Sequence, residues 1–248
     1  MEVHAHTHTA RTKWTHYFWE FLMLFLAVFC GFLAEYYLEH TIEHNRENQF
    51  ISSLIKDIEA DTAQLSNIKG FRIARLSSID SVTNYFANNT SGTISLRGIQ
   101  LLEDVKGHVS FYQNSGTLDQ LKNAGGLRLI RRRNVVDSIQ SYDQQIKRMA
   151  LRDQYEVEEM RYTVRLSYKF VDGSMLSSIY ADTSYFNNDR LRTDRPKSIM
   201  ISPQYVSEYL NSLATFRFVV MNNMRLQENI RKKAEDLLAL IKKEYHLK

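Results

Sequence analysis

WTHYFWEFLMLFLAVFCGFLAEYYLEH, residues 14–40, is apolar from Tyr17 to Leu38 apart from two glutamates, Glu20 where the run begins and Glu35 where it ends. The strict core, Phe21 to Ala34, is about 14 residues, short of the roughly 20 that a helix needs to cross a bilayer. The flanks supply the rest, because Trp14, Tyr17, Trp19, Tyr36 and Tyr37 are amphipathic aromatics of the kind that settle at headgroup depth. The stretch therefore predicts one transmembrane helix over residues 15–38. A cleaved signal peptide fits poorly, since no small-residue cleavage site follows and the aromatics are too many.

Basic residues near the ends of a span set its orientation. Arg11 and Lys13 precede it, whereas Glu35, Glu39 and Glu43 follow it before the first basic residue, Arg46. This predicts a cytoplasmic tail (1–14), rich in histidine, and a main domain (39–248) on the other side, in the periplasm if the membrane is the inner membrane of a Gram-negative bacterium.

The glutamates acquire a meaning when the span is wound at 100° per residue. With Glu20 at zero, Ala27 falls at about −20°, Gly31 at about +20°, Ala34 at about −40° and Glu35 at about +60°. Phe18, Phe21, Phe25, Phe29 and Phe32 gather between about 100° and 180°. Small residues let helices approach closely in lipid, and ionisable residues in a span face protein or water. Both rules select the face of Glu20, Ala27, Gly31, Ala34 and Glu35 as a helix–helix seam, in a homo-oligomer or against another membrane protein. The blander alternative places Glu20 at the cytoplasmic interface beside Lys13 or His16.

The remainder reads as helix. With 9 glycines and 2 prolines in 248 residues the chain has few breakers, and 44% hydrophobic with 24% charged residues suits a folded protein. Apolar residues at 51, 54, 58, 65 and 68 follow helical spacing, then resume at Ile79, Val82 and Phe86 after an apparent phase slip near Arg72. One helix, or two with a break, is expected there. Residues 87–98 read as a loop. Thr117 and Gln120 suggest a capping box, and Gly125-Gly126 a helix stop. A long helix is expected from an Asn134 cap to about Phe170, with Val135, Ile139, Tyr142, Ile146, Met149, Val157, Met160 and Val164 inward. Asp172-Gly173 breaks it. Residues 181–203 are polar, and Ser202-Pro203 opens a final helix through Leu210, Leu213, Val220, Met224, Ile230, Ala234, Leu237 and Ile241. The fold class is all-α: an N-terminal transmembrane helix followed by an elongated antiparallel helical bundle.

In order, a glutamate opening the span (FWEFLMLFLAVFCGFLAEY), the helix SLIKDIEADTAQL and the block GTLDQLKNAGGLRLIRRRNVVDSIQSY resemble a widespread family of uncharacterised single-span inner-membrane proteins of Gram-negative bacteria. Leu118, Leu121, Gly125, Gly126, Leu127 and Ile130 carry its most specific part. The resemblance covers most of residues 11–150. It implies a helical periplasmic domain and carries no activity.

Motifs with chemistry are sparse. His4, His6 and His8 lie on one side of an extended tail and could hold Zn²⁺ or Ni²⁺ weakly, more credibly where several tails converge. Otherwise no cofactor is expected. His40 and His44 are one helical turn apart, with a solvated face the simpler reading. Arg131-Arg132-Arg133 with Arg128 is the densest basic run, read as a solvated turn; a net charge of +4 is too small to argue for nucleic acid. Asp57, Glu59 and Asp61 form the best acidic cluster, read as pointing to different faces. The C-terminal RKKAEDLLALIKKEYHLK is basic and amphipathic, suited to core packing or to anionic headgroups. The lone Cys30 excludes a disulfide within the chain. No phosphate loop, G-x-S-x-G, H-E-x-x-H or kinase set is present, so an enzyme is not expected. The expectation is a membrane-anchored structural or interaction protein whose partners are lipids, its own copies or another membrane protein, with a periplasmic sensor or transport accessory as the alternative.

Overall fold

The computed structural model describes residues 14–89, 91–123, 125–181 and 198–247. The chain is all-α. Its elements are α1 (Trp14–Asn88), α2 (Leu96–Asp104), α3 (Gly116–Asn123), α4 (Arg133–Ser167), α5 (Gly173–Ala181) and α6 (Pro203–Glu244). A minimal antiparallel ribbon joins β1 (Thr93–Ser95) to β2 (Ser198–Met200), with Ile94 opposite Ile199. The histidines at 4, 6 and 8, together with Arg11, Lys13 and Pro196, lie outside the described residues.

The molecule divides into two compact units, residues 1–52 and 53–248. In the first, residues 14–52 belong to α1, and no part of its most apolar window is buried. The aromatic flanks are open, Trp14 at 81% and Tyr37 at 77% exposure. On the phenylalanine face, Phe21, Phe25 and Phe29 stack at centroid separations of 6.2 and 5.9 Å.

The second unit is built on three long helical segments, and here one expectation needs correction. The helix has no break and no phase slip at Arg72. Leu54, Ile58, Asp61, Leu65, Ile68, Arg72, Arg75, Ile79, Val82 and Phe86 are all buried and follow each other at alternating steps of four and three without interruption. This is heptad spacing with charged residues at three core positions. The slip came from counting apolar residues only. In α6 the same rhythm runs through Tyr209, Leu213, Phe216, Val220, Asn223, Gln227, Ile230, Ala234, Leu237 and Ile241. Leu210 and Met224, expected inside, are only half-buried. In α4 the buried positions after Met149 are Asp153, Glu156, Thr163, Leu166 and Ser167, whereas Val157, Met160 and Val164 are half-buried.

Cross-helix bonds fix the register. Lys69 meets Glu228 and Arg217 meets Asp80, so α6 runs antiparallel to α1. Thr163 bonds Ser212 and Asn223 bonds the carbonyl of Arg152, so α6 is also antiparallel to α4. Asp61 bonds Tyr142 and Arg72 bonds Asp153, so α1 and α4 run parallel. A parallel pair needs a return connection, and residues 106–115 provide it.

This strap is extended. As its numbering rises from Lys106 to Thr117, its α1 partners fall from Arg75 to Asp57. At about 3.3 Å per residue its eleven steps reach roughly 36 Å, enough to retrace the roughly 27 Å that eighteen helical residues cover. With no sheet neighbour, its backbone is held by side chains. The Asn114 N–H donates to Asp61 Oδ1 at 2.8 Å, Tyr112 N–H to Gln64 Oε1 at 2.8 Å, Thr117 N–H to Asp57 Oδ2 at 3.2 Å and Phe111 N–H to Asp153 Oδ2 at 3.4 Å.

The ends of the short helices repay comparison with the sequence. Thr117 lies inside α3 and is no capping residue; Ser115 sits at the start instead, with its hydroxyl on Asp119 Oδ2 at 2.6 Å and its carbonyl accepting from Asp119 N–H. Gly125, at φ 66°, takes the left-handed turn that ends the segment, and Leu118, Leu121 and Ile130 of the quoted block are buried. Ser202 and Pro203 open α6 as expected. The expected 87–98 loop is shorter than its composition suggested: Ser95 accepts from the Gly98 amide at 3.3 Å and starts α2. An alanine Cβ at Gly98 would fall 2.6 Å from the Tyr85 ring, so glycine allows α2 to lie against α1. Beside it Phe86, Phe170 and Tyr209 pack edge-on or tilted within 6.0 Å and form the apolar end of the core.

Candidate functional site

The costliest feature of the second unit is a layer of charge inside its heptad core. Arg72 is 1% exposed. Its Nη2 donates to Asp153 Oδ1 at 2.6 Å and Glu156 Oε2 at 2.9 Å, and its Nη1 to Gln227 Oε1 at 2.6 Å. Asn223 Nδ2 donates to Glu156 Oε2 at 2.7 Å, and Gln227 Nε2 to the Leu65 carbonyl. One turn on, Arg75 donates to the Lys106 carbonyl at 3.4 Å and lies over the Phe71 ring at 4.8 Å. The layer holds two guanidiniums against two carboxylates, so it is neutral in sum. Burying ions is expensive, and the expense is recovered only when every charge is paired and hydrogen-bonded. Polar residues at heptad core positions earn their place by fixing register, since any slip strands a charge in hydrocarbon.

The strap contributes His108 to this layer. Its Nδ1 stands 3.7 Å from Glu156 Oε1, and its Nε2 is buried without a hydrogen-bond partner among the described residues. Burial pushes its pKa below the ordinary histidine value; Glu156 and Asp153 pull upward, while Arg72 and Arg75 add to the downward push. A histidine with a lowered folded pKa contributes stability that is complete above about pH 6.5 and is lost as the pH falls below it. The thermal midpoint of His108→Gln should therefore fall less between pH 7.5 and 5.5 than that of the native chain. Parallel slopes would exclude His108 as the titrating group. Comparing the two chains cancels Asp61 and Asp153, whose carboxyl pKa values burial raises and whose effect on stability has the opposite sign.

A second polar node lies along the same face. Asp61 accepts from Tyr142 Oη at 2.8 Å and from both the backbone and side-chain nitrogens of Asn114. Burial, reinforced by the Asp61 charge, drives the Tyr142 hydroxyl well above its usual range. Asp57 and Asp61 thus share a side of α1 and hold the strap, against the expectation that the acidic trio points to different faces. Glu59 alone turns away, toward Lys242 at 3.4 Å.

Between the strap and α4 lies an open groove of about 470 Å³. Residues 110–112 form one wall, and Ala150, Asp153, Val157, Glu158 and Arg161 line the other. Its origin is geometric, since an extended chain about 5 Å wide stands where a fourth helix would fill about 10 Å. Asp153 joins the groove to the ionic layer.

No family model, curated protein or solved structure matches the chain.

The residues singled out in the span stay on one helix. Glu20, Ala27, Gly31, Ala34 and Glu35 are all exposed, and nothing lies within 4 Å of the Cβ position at Gly31. Glu20 Oε1 lies 3.2 Å from His16 Nε2, the neighbour foreseen in the interfacial alternative. His40 is 3.1 Å from Tyr36 Oη and His44 is 3.3 Å from Asn48, so each pairs within its own helix. Among the described residues no group of three or more histidine, cysteine or acidic side chains converges on a metal position. Of the arginine run, Arg132 lies 3.8 Å from Glu244. The basic C-terminal stretch buries Ala234, Leu237 and Ile241 in the core. Sequence reading missed Arg72, His108, Asp153, Glu156, Asn223 and Gln227. The signal that could have found them is the heptad rhythm itself, continued through polar positions.

Proposed function

We propose that this is a single-span membrane-anchored interaction protein that associates through the Glu20, Ala27, Gly31, Ala34 and Glu35 face, with its helical domain on the extracytoplasmic side of a bacterial inner membrane. The observation that carries the reading is an apolar helix whose most apolar window is wholly unburied. Lipid satisfies such a surface, and aromatic residues at both ends suit the two interfaces. In that setting Glu20 is the residue with most to gain from a protein neighbour, and the small residues admit one closely. The paired charges of the ionic layer suit a domain that holds one register.

Native mass spectrometry of the chain extracted with its own lipids, beside Glu20→Gln, tests this. A defined homo-oligomer that the substitution loosens is the expected result. A monomer carrying a different membrane protein would assign the small-residue face to that partner and end the self-association reading. A sensor is the second reading, favoured by the groove that opens onto the buried ionic layer at Asp153. It requires the helices to repack when the groove is filled, which a scaffold does not.

A further inference from the structure

We infer that the groove between residues 110–112 and α4 binds a small organic ammonium ion with an apolar, preferably aromatic, body. The inference is independent of how the span associates. The first ground is coincidence of place: this groove and the buried ionic layer share Asp153, whose side chain is 8% exposed. A surface crevice between packed elements needs no buried carboxylate in its wall, and a register-fixing layer needs no opening to solvent.

The second ground is unfilled hydrogen-bonding capacity. Asp153 Oδ1 is taken up by Arg72 at 2.6 Å, but among the described residues Oδ2 accepts only a long bond from the Phe111 amide at 3.4 Å. A carboxylate has about four lone-pair sites, so Oδ2 can accept from a ligand donor in the groove. The third ground is the lining. Arg72 already balances the charge of Asp153, so Glu158 is the carboxylate that answers a cation, beside the guanidinium of Arg161, and Phe111 and Tyr112 bring aromatic side chains to the lining. Ala150 and Val157 give the body an apolar floor. Tyr112 is 73% exposed while its backbone N–H is held by Gln64, so an aromatic side chain is carried at the groove on an anchored backbone. The wall is preorganised, and less ordering is left for the ligand to impose.

The test uses the full chain in lipid nanodiscs and 2-phenylethylamine as the probe, with empty nanodiscs subtracted to remove partitioning into lipid. Calorimetric titration should show saturable binding. Binding should be about tenfold weaker in Glu158→Gln, as expected for removal of one charge-assisted partner. It should be absent in Ala150→Trp, which fills the groove from an exposed helix position and leaves the ionic layer intact. The amides of Phe111 and Tyr112 should shift on titration in the native chain and not in Ala150→Trp. The anionic isostere 3-phenylpropionate should not bind. No saturable binding up to about 10 mM, a limit that marks binding too weak for a specific site, would overturn the inference. So would equal binding by Ala150→Trp, or equal binding of the anion.

Discussion

Arg72→Met is expected to cost the second unit about 3–5 kcal/mol of unfolding free energy, because it leaves Asp153 and Glu156 buried without their shared counter-charge. The substitution preserves an unbranched side chain in the core, so packing changes little. What is lost is four bonds from one guanidinium, three to carboxylate oxygens and one to Gln227. The two carboxylates are only 6% and 3% exposed, so water replaces little of what the guanidinium supplied. The remaining cation at this level, Arg75, lies over the Phe71 ring and bonds the strap carbonyl. Urea unfolding of the full chain at constant detergent, followed by far-ultraviolet circular dichroism, measures the loss. The companion chain replaces Arg72, Asp153 and Glu156 together by methionine, leucine and methionine. It should recover only part of the loss: the stranded carboxylates are gone, but Arg75, Asn223 and Gln227 remain buried in the layer. A single substitution costing under about 1 kcal/mol would mean that water reaches the layer and that the charges are not truly buried.

Asp61→Ala is expected to cost about 2–3 kcal/mol and to free the strap locally. Three donors converge on that carboxylate: the Asn114 amide, the Asn114 side chain and the Tyr142 hydroxyl. Asn114 can turn to solvent, but Tyr142 is 3% exposed and its hydroxyl would be orphaned, which accounts for most of the cost. Tyr142→Phe should cost about 1 kcal/mol, since it removes one bond and leaves Asp61 two others. Hydrogen exchange separates the strap from the whole: in Asp61→Ala the amides of Tyr112 and Asn114 should lose protection well before those of α6. Uniform acceleration across the unit would show that the strap is no independent element. Acid alone should not release this node, because the Asp61 pKa is raised by burial and protonation removes its desolvation cost. Release at low pH would instead come through groups of the opposite sign, such as His108 and Asp143, whose pKa values are lowered.

Much of the architecture was legible because helix periodicity is a local property. The continuous apolar run with aromatic flanks, the Ser202-Pro203 start and the Gly125 turn each rest on the conformational preferences of adjacent residues, and each appears where those preferences place it. The polar layer was not legible by the same route. An arginine among isoleucines reads as an interruption until the other helices supply Asp153, Glu156 and Gln227 at its level, and they lie 81, 84 and 155 residues away. The strap escaped notice for a related reason: it has neither helix period nor sheet partner, and its backbone bonds go to side chains of α1 and α4.

By itself, then, the sequence determined that the chain is helical, that one stretch is apolar enough to cross a membrane, and the apolar part of the inward stripe of each long helix, because these follow from the chemistry of neighbours one turn apart. Only the tertiary structure decided that the α1 and α4 stripes run parallel, that an extended strap rather than a helix returns the chain, and that seven polar side chains meet in one layer beside a groove. Pairing of charges across helices depends on register, and register is set by the whole bundle at once.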